Sequence, residues 1–215
     1  MEAKEIPIRT LFLCLAAVLA VELGMLVVTA KPVNNPMLIL GGARLFEILL
    51  IVLIVSTWGQ GLPSIGLAQS EMVPGLKKGL LWSAGFGALT SIVCAGLFAV
   101  STNPLTFIRA QLPTQTNDLI FFFLVGGLLG PVAEELFFRG ILYGFLRRWG
   151  VIVAVFLSTL IFVLCHPIHQ GLPVTRLLGG VLFAVAYEIS GSLIVPITIH
   201  VLGNLAIFTI SLIPT

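Results

Sequence analysis

The chain has 215 residues, 58% of them hydrophobic and only 9% charged, and its mean hydropathy of +1.14 lies well outside the range of soluble globular domains. A formal net charge of +2 is too small to suggest nucleic acid, and three cysteines without a CxxC spacing (Cys14, Cys94, Cys165) suggest neither a disulfide framework nor a thiolate metal site. The expected fold class is all-α: a polytopic transmembrane helix bundle of about seven or eight spans, each needing ~20 mostly apolar residues.

In chain order, hydropathy and its breaks place spans near 10–30, 38–58, 78–100, 118–146, 151–166, 173–190 and 192–212. The first could pass for a signal peptide, but its length and the Pro32 that follows favour a retained span. Between the second and third, WGQGLPSIGLAQSEMVPGLKKGL mixes glycine, proline and lysine with isolated apolar residues and reads as a connector lying at the interface. The fourth is too long for one straight crossing, since its 29 residues at ~1.5 Å each reach roughly 43 Å. It must tilt, bend or split; Gly126, Gly127, Gly130 and Pro131 mark where a break is expected, which would make VAEELFFRG the opening turns of a new helical section, and whether the segment is one bent helix or two stays open. Gly126 to Gly130 and Gly140 to Gly144 also match the small-xxx-small spacing of close helix contacts. Lys4, Arg9, Lys77, Lys78, Arg147 and Arg148 fall on one side and Lys31, Arg109 and Arg176 on the other, so the N-terminus is expected to be cytoplasmic. Residues 1–215 form one expected domain, with a motif-bearing core at about 118–210. The three cysteines, inside apolar runs, are expected to be small buried hydrophobes.

A charged side chain at mid-bilayer costs ~2.5 to 3.5 kcal/mol on insertion scales, so ionisable residues there are functional candidates by default. Glu134, Glu135 and Arg139 form the first group. On a helix Glu135 and Arg139 share a face while Glu134 points ~100° away. That geometry leaves Glu135 held by its arginine and Glu134 able to face a cavity as a general base. The second group is FVLCHP, in which Phe162 and His166 share a face; the third is ITIHVLGN, in which His200 and Asn204 do. Counted from the turn RRWG, Glu134 lies roughly 20 Å and His166 roughly 24 Å along two antiparallel helices, with His200 and Asn204 at roughly 14 and 20 Å on the last span. All can therefore occupy one layer.

These three groups resemble the ordered motifs EExxxR, FxxxH and HxxxN of the CPBP glutamic intramembrane proteases, also called Abi or CAAX-protease-like proteins. The resemblance covers about 119–208 and implies a bundle of about eight spans with an active site inside it. It implies that Glu134 and His166 activate water, that His200 and Asn204 stabilise the oxyanion, and that Glu135 and Arg139 support them. Phe162 is then a packing residue that shapes the substrate pocket. The implied function is an intramembrane endopeptidase cutting near the C-terminal region or membrane anchor of a peptide or protein, in a multi-pass protein of a bacterial or archaeal inner membrane. Its partners are the lipid bilayer and that substrate. No cofactor is expected.

Two other readings use the same residues. Glu134, His166 and His200 are competent Zn2+ ligands, although the HExxH helix that sets two ligands and a base together is missing. A proton-coupled transporter would use the Glu/His cluster as a relay, but has little use for the non-titrating Asn204. His169 is expected on loop surface. Arg44 and Glu47 can pair along the second helix, Glu22 stands alone in the first, and Glu188 has a structural or interfacial role. Arg147, Arg148 and Trp149 read as an interfacial anchor.

Overall fold

The structure, a computed structural model, describes residues 6–166 and 174–213, which are helical with short connections and no strand. The helices are α1 (Ile8–Thr29), α2 (Pro36–Thr57), α3 (Met72–Ala99), α4 (Thr116–Trp149), α5 (Val151–Leu164), α6 (Val174–Ser190) and α7 (Ile194–Ser211). They fall on the seven expected spans because the signal is local. A segment apolar enough to leave water must satisfy its own backbone polar groups, and a helix does so within the segment. By length and composition α1, α2, α3, α4 and α7 can each cross a bilayer, and α5 is a shorter apolar helix. The ends follow ordinary start and stop chemistry. At the start of α2 the Asn35 side chain accepts a hydrogen bond from the Leu38 N–H, with Pro36 in the first turn. The turn into α5 is made by Gly150 at φ +100°.

α4 is the central element and packs against α2, α5, α6 and α7. Its second half is buried almost all round, from Leu136 through Leu146. α1 and α3 instead present Leu23, Leu26, Val27, Leu81 and Ile92 outward, as lipid-facing helices do.

The structure sharpens some expectations and corrects others. Of the ways open to the fourth span, tilting, bending or splitting, it does not split: α4 is continuous, with a π-helical turn at Val125–Leu129 just before Gly130 and Pro131 and a second π-helical stretch at Leu136–Tyr143. The third helix starts at Met72, six residues before the expected 78, because Pro74 is tolerated in a helix's first turn. Part of the connector before it also packs inward. Ile65 is fully buried, and the Gly66 carbonyl accepts a 3.0 Å bond from the Leu193 N–H. Gly66 has φ +76°, and a Cβ there would sit 2.8 Å from the Gly191 oxygen and the Leu193 nitrogen, so glycine is required on two counts. Of the cysteines, Cys14 is buried, Cys94 intermediate and Cys165 exposed; an apolar run says that a helix leaves water, not which of its faces turns inward.

Of the glycines expected to make close helix contacts, Gly126 does meet α7, where a Cβ would lie 3.3 Å from the Phe208 ring, and further contacts of this kind are elsewhere. Gly75 and Gly79 of α3 lie against α7, where a Cβ on Gly79 would come within 2.6 Å of Thr198. Gly140 and Gly144 face Ile65, Leu193 and Ile6 rather than another helix's ridge, and Gly130 faces its own helix. Spacing alone does not say which glycine pair meets a neighbour.

Candidate active site

Three helices bring the sequence candidates together. α4 supplies Glu134, Glu135 and Arg139, the last turn of α5 supplies His166, and α7 supplies His200. Glu134 Oε1 lies 3.7 Å from His166 Nε2 and Glu134 Oε2 lies 3.8 Å from His200 Nε2. These gaps exceed a direct hydrogen bond and fit one bridging water oxygen. Both imidazoles are tethered through the opposite nitrogen. His166 Nδ1 contacts the Phe162 carbonyl at 2.7 Å, and His200 Nδ1 contacts Glu135 Oε1 at 2.7 Å. A carbonyl and a carboxylate both accept, so each Nδ1 donates and the ring orientations are set with Nε2 towards Glu134.

The His166 tether has a local cause. At the end of α5 the His166 backbone N–H bonds to the Val163 carbonyl, a tightening common in last turns. The Phe162 carbonyl thereby loses its helical donor, and the imidazole of His166 takes that place. The sequence expectation that Phe162 packs rather than reacts agrees with its place: its ring is 3% exposed and its centroid lies 4.7 Å from that of His166 and 6.1 Å from that of His200.

Glu135 and Arg139 form the expected i,i+4 pair, with Arg139 Nη1 donating to Glu135 Oε1 at 2.9 Å and both side chains fully buried. The guanidinium also donates to the Gly180 carbonyl at 3.1 Å and lies 4.8 and 5.2 Å from the ring centroids of Phe162 and Phe183. A buried guanidinium needs this combination of a carboxylate, a carbonyl and aromatic faces to offset its lost hydration. Glu135 Oε1 thus joins Arg139 to His200. The division within the site follows from access: the Glu134 and His166 side chains are 24% and 25% exposed, whereas His200 and Glu135 are 7% and 0%.

Asn204, one turn beyond His200, donates from Nδ2 to the Gly126 carbonyl at 2.9 Å. It is therefore engaged with the π-helical turn of α4, eight residues before Glu134, so the layer expected to hold all the motif residues is longer than one helical turn. Phe183 is a member of the site that sequence reasoning missed. It stacks on His200 with centroids 4.5 Å apart and planes at 22°. An apolar residue in an apolar helix carries no signal of such a role. His169 lies outside the described residues. Among the described residues no group of three or more His, Cys, Asp or Glu side chains is placed to hold a metal ion.

Outside the site, Glu22 is not alone, since Arg44 binds both Glu22 and Glu47. Arg147 is more than an interfacial anchor: it forms a forked ion pair with Glu188, which also accepts from the Tyr143 hydroxyl. Arg148 donates to the Ile6 carbonyl.

Residues 116–206 match the family described as type II CAAX prenyl endopeptidase Rce1-like. A curated protein of Staphylococcus aureus named membrane-embedded CAAX protease MroQ is 35% identical over 123 residues, which cover 54% of this chain and 47% of that protein. The match thus spans about half of that relative's length. An uncharacterized 24.3 kDa protein of Escherichia coli is 28% identical over 173 residues, covering 74% of this chain and 73% of that protein. No solved structure matches the chain.

Proposed function

We propose that this chain is a member of the CAAX-protease-like family, whose model matches residues 116–206, and an intramembrane peptidase whose nucleophile is a water held between Glu134, His166 and His200. The observation that carries this is the convergence of the Glu134 carboxylate with two outward-turned imidazole Nε2 atoms at 3.7 and 3.8 Å, each imidazole anchored through Nδ1.

Glu134, oriented with His166, takes a proton from that water as its oxygen attacks the scissile carbonyl carbon. The carbonyl oxygen becomes an oxyanion, and His200 as an imidazolium offers it the Nε2–H, with Glu135 at 2.7 Å balancing the ring's charge. When the C–N bond breaks, the proton held by Glu134 passes to the leaving amine, giving a free carboxylate and a free amine. The substrate is a peptide or membrane-anchored protein reached at bilayer depth, cut near its C-terminal region or anchor. Asn204, the other residue that the motifs assign to the oxyanion, has one amide hydrogen already committed to Gly126.

Purified protein in liposomes is to be incubated with membrane peptides that accumulate full length in a strain lacking the gene, and the products read by mass spectrometry. Glu134→Gln and His166→Ala are expected to abolish cleavage at unchanged detergent melting temperature; full cleavage by either removes the mechanism. The zinc alternative has a separate arm. Activity that survives exhaustive chelation with no metal by elemental analysis supports metal-free water activation, and activity lost on chelation and restored by Zn2+ overturns it.

A further inference from the structure

The π-helical turn of α4 leaves one carbonyl without a backbone donor. In an α-helix the Gly126 carbonyl accepts from the N–H of residue 130, but the Gly130 N–H here bonds back to the Val125 carbonyl, five residues away. In the π register the donor for Gly126 is residue 131, and residue 131 is proline, which has no N–H. Neither register can satisfy Gly126 from within α4. The group that does so is the Asn204 carboxamide, at 2.9 Å. Because its partner is a carbonyl, the amide face turned to Gly126 is the NH2 and not the oxygen.

The turn matters because it sets the phase of everything after it. One residue inserted into a helix of 3.6 residues per turn rotates the following faces by ~100° relative to an unbroken helix. Glu134 follows within the next two turns of α4. Upstream, α4 is held to α7 through Phe208, whose ring lies 4.6 Å from Phe122 and 5.5 Å from Phe123, and through Gly126 and Gly127, which lie against Phe208 and Leu205. With that part held, losing the turn would swing Glu134 away from both imidazoles. Residues 200, 204 and 208 thus form one i,i+4 stripe of α7 that meets the Glu134–Glu135 pair, the turn and the upstream anchor in order.

We infer that Asn204 is a positioning residue: by taking the place of the N–H that Pro131 lacks, it holds the α4 turn that aims Glu134 at His166 and His200. This rests on the proposed function, and makes the third motif's carboxamide a support for the base through the backbone of another helix.

The test restores the missing donor. Asn204→Ala is expected to lower kcat at least tenfold with little change in KM and to lower the detergent melting temperature. Adding Pro131→Ala, which supplies an N–H in the i+5 position facing Gly126, is expected to recover most of both. Should Asn204→Ala fail to accumulate, recovery of folded, active protein in the Pro131→Ala/Asn204→Ala double variant supports the inference equally. A double variant that recovers melting but not kcat shows that the carboxamide acts on the substrate and overturns the inference, as does one that recovers neither. Glu134→Gln carried in parallel keeps the two readings apart: cleavage by that variant would bring down the peptidase proposal, whereas failed rescue with an inactive Glu134→Gln removes only the role of Asn204.

Discussion

Two ion clusters lie inside this bundle, and they are built oppositely. Between α1 and α2, Arg44 is clasped by Glu22 and Glu47, a closed arrangement in which the guanidinium faces a carboxylate on each side. Between α4, α5 and α7, Arg139 holds Glu135, Glu135 holds His200, and the series ends on a second carboxylate, Glu134, whose neighbours are imidazole nitrogens at a water's distance. Burial of charge is common to both and does not separate them. What separates them is pairing: Glu22 and Glu47 are both taken up by Arg44, whereas Glu134 faces two imidazole Nε2 atoms at 3.7 and 3.8 Å without a direct hydrogen bond to either. A carboxylate taken up by an arginine is poorly placed for acid–base work, whereas one between two oriented imidazoles has the geometry the proposed reaction needs.

The sharpest way to break this comparison is to remove one carboxylate from each cluster. Glu134→Gln is expected to lower kcat by about 10²- to 10⁴-fold, the range of general-base contributions. Glu47→Gln is expected to leave kcat within about threefold, under ~1 kcal/mol in barrier. Measured on folded protein in liposomes, comparable losses from both would mean that the α2 cluster belongs to the reaction. A smaller effect is expected in stability. Arg139→Met leaves Glu135 fully buried without its cation, a change that costs about 3–5 kcal/mol, read from unfolding in mixed detergent; a shift below 1 kcal/mol would show that His200 alone satisfies Glu135. The smallest belongs to Glu22, whose side chain is 43% exposed. Glu22→Gln leaves Arg44 its buried partner Glu47 and should change stability by roughly 0–1 kcal/mol, and a larger loss would mean that the outer carboxylate is what holds α1 to α2.

Much of the site was legible before any coordinates. The pairing of Glu135 with Arg139, the separate face of Glu134 and the common depth of Glu134, His166 and His200 follow from 3.6 residues per turn and 1.5 Å per residue, and the structure places these groups together. The same arithmetic put Asn204 into the Glu134 layer and missed its contact with Gly126, because it assumes an unbroken helix and α4 contains π-helical stretches. The glycines and Pro131 announced a disturbance at 126–131 without saying whether the chain breaks there or rewinds. That outcome depends on a donor from α7, 78 residues further along the chain.

The sequence by itself determined which segments leave water and where along each helix the ionisable side chains fall, since hydropathy and helical period are local properties that each segment carries alone. Only the tertiary structure decided that 62–67 plugs into the core beside Leu193, that Gly75 and Gly79 rather than Gly140 and Gly144 admit a neighbouring helix, and that Phe183 stacks on His200. It also decided that Arg44 reaches Glu22. Each of these depends on the relative rotation and approach of helices far apart in the chain, and that rotation is fixed by packing summed over many apolar contacts, none of which is marked in the sequence of either partner.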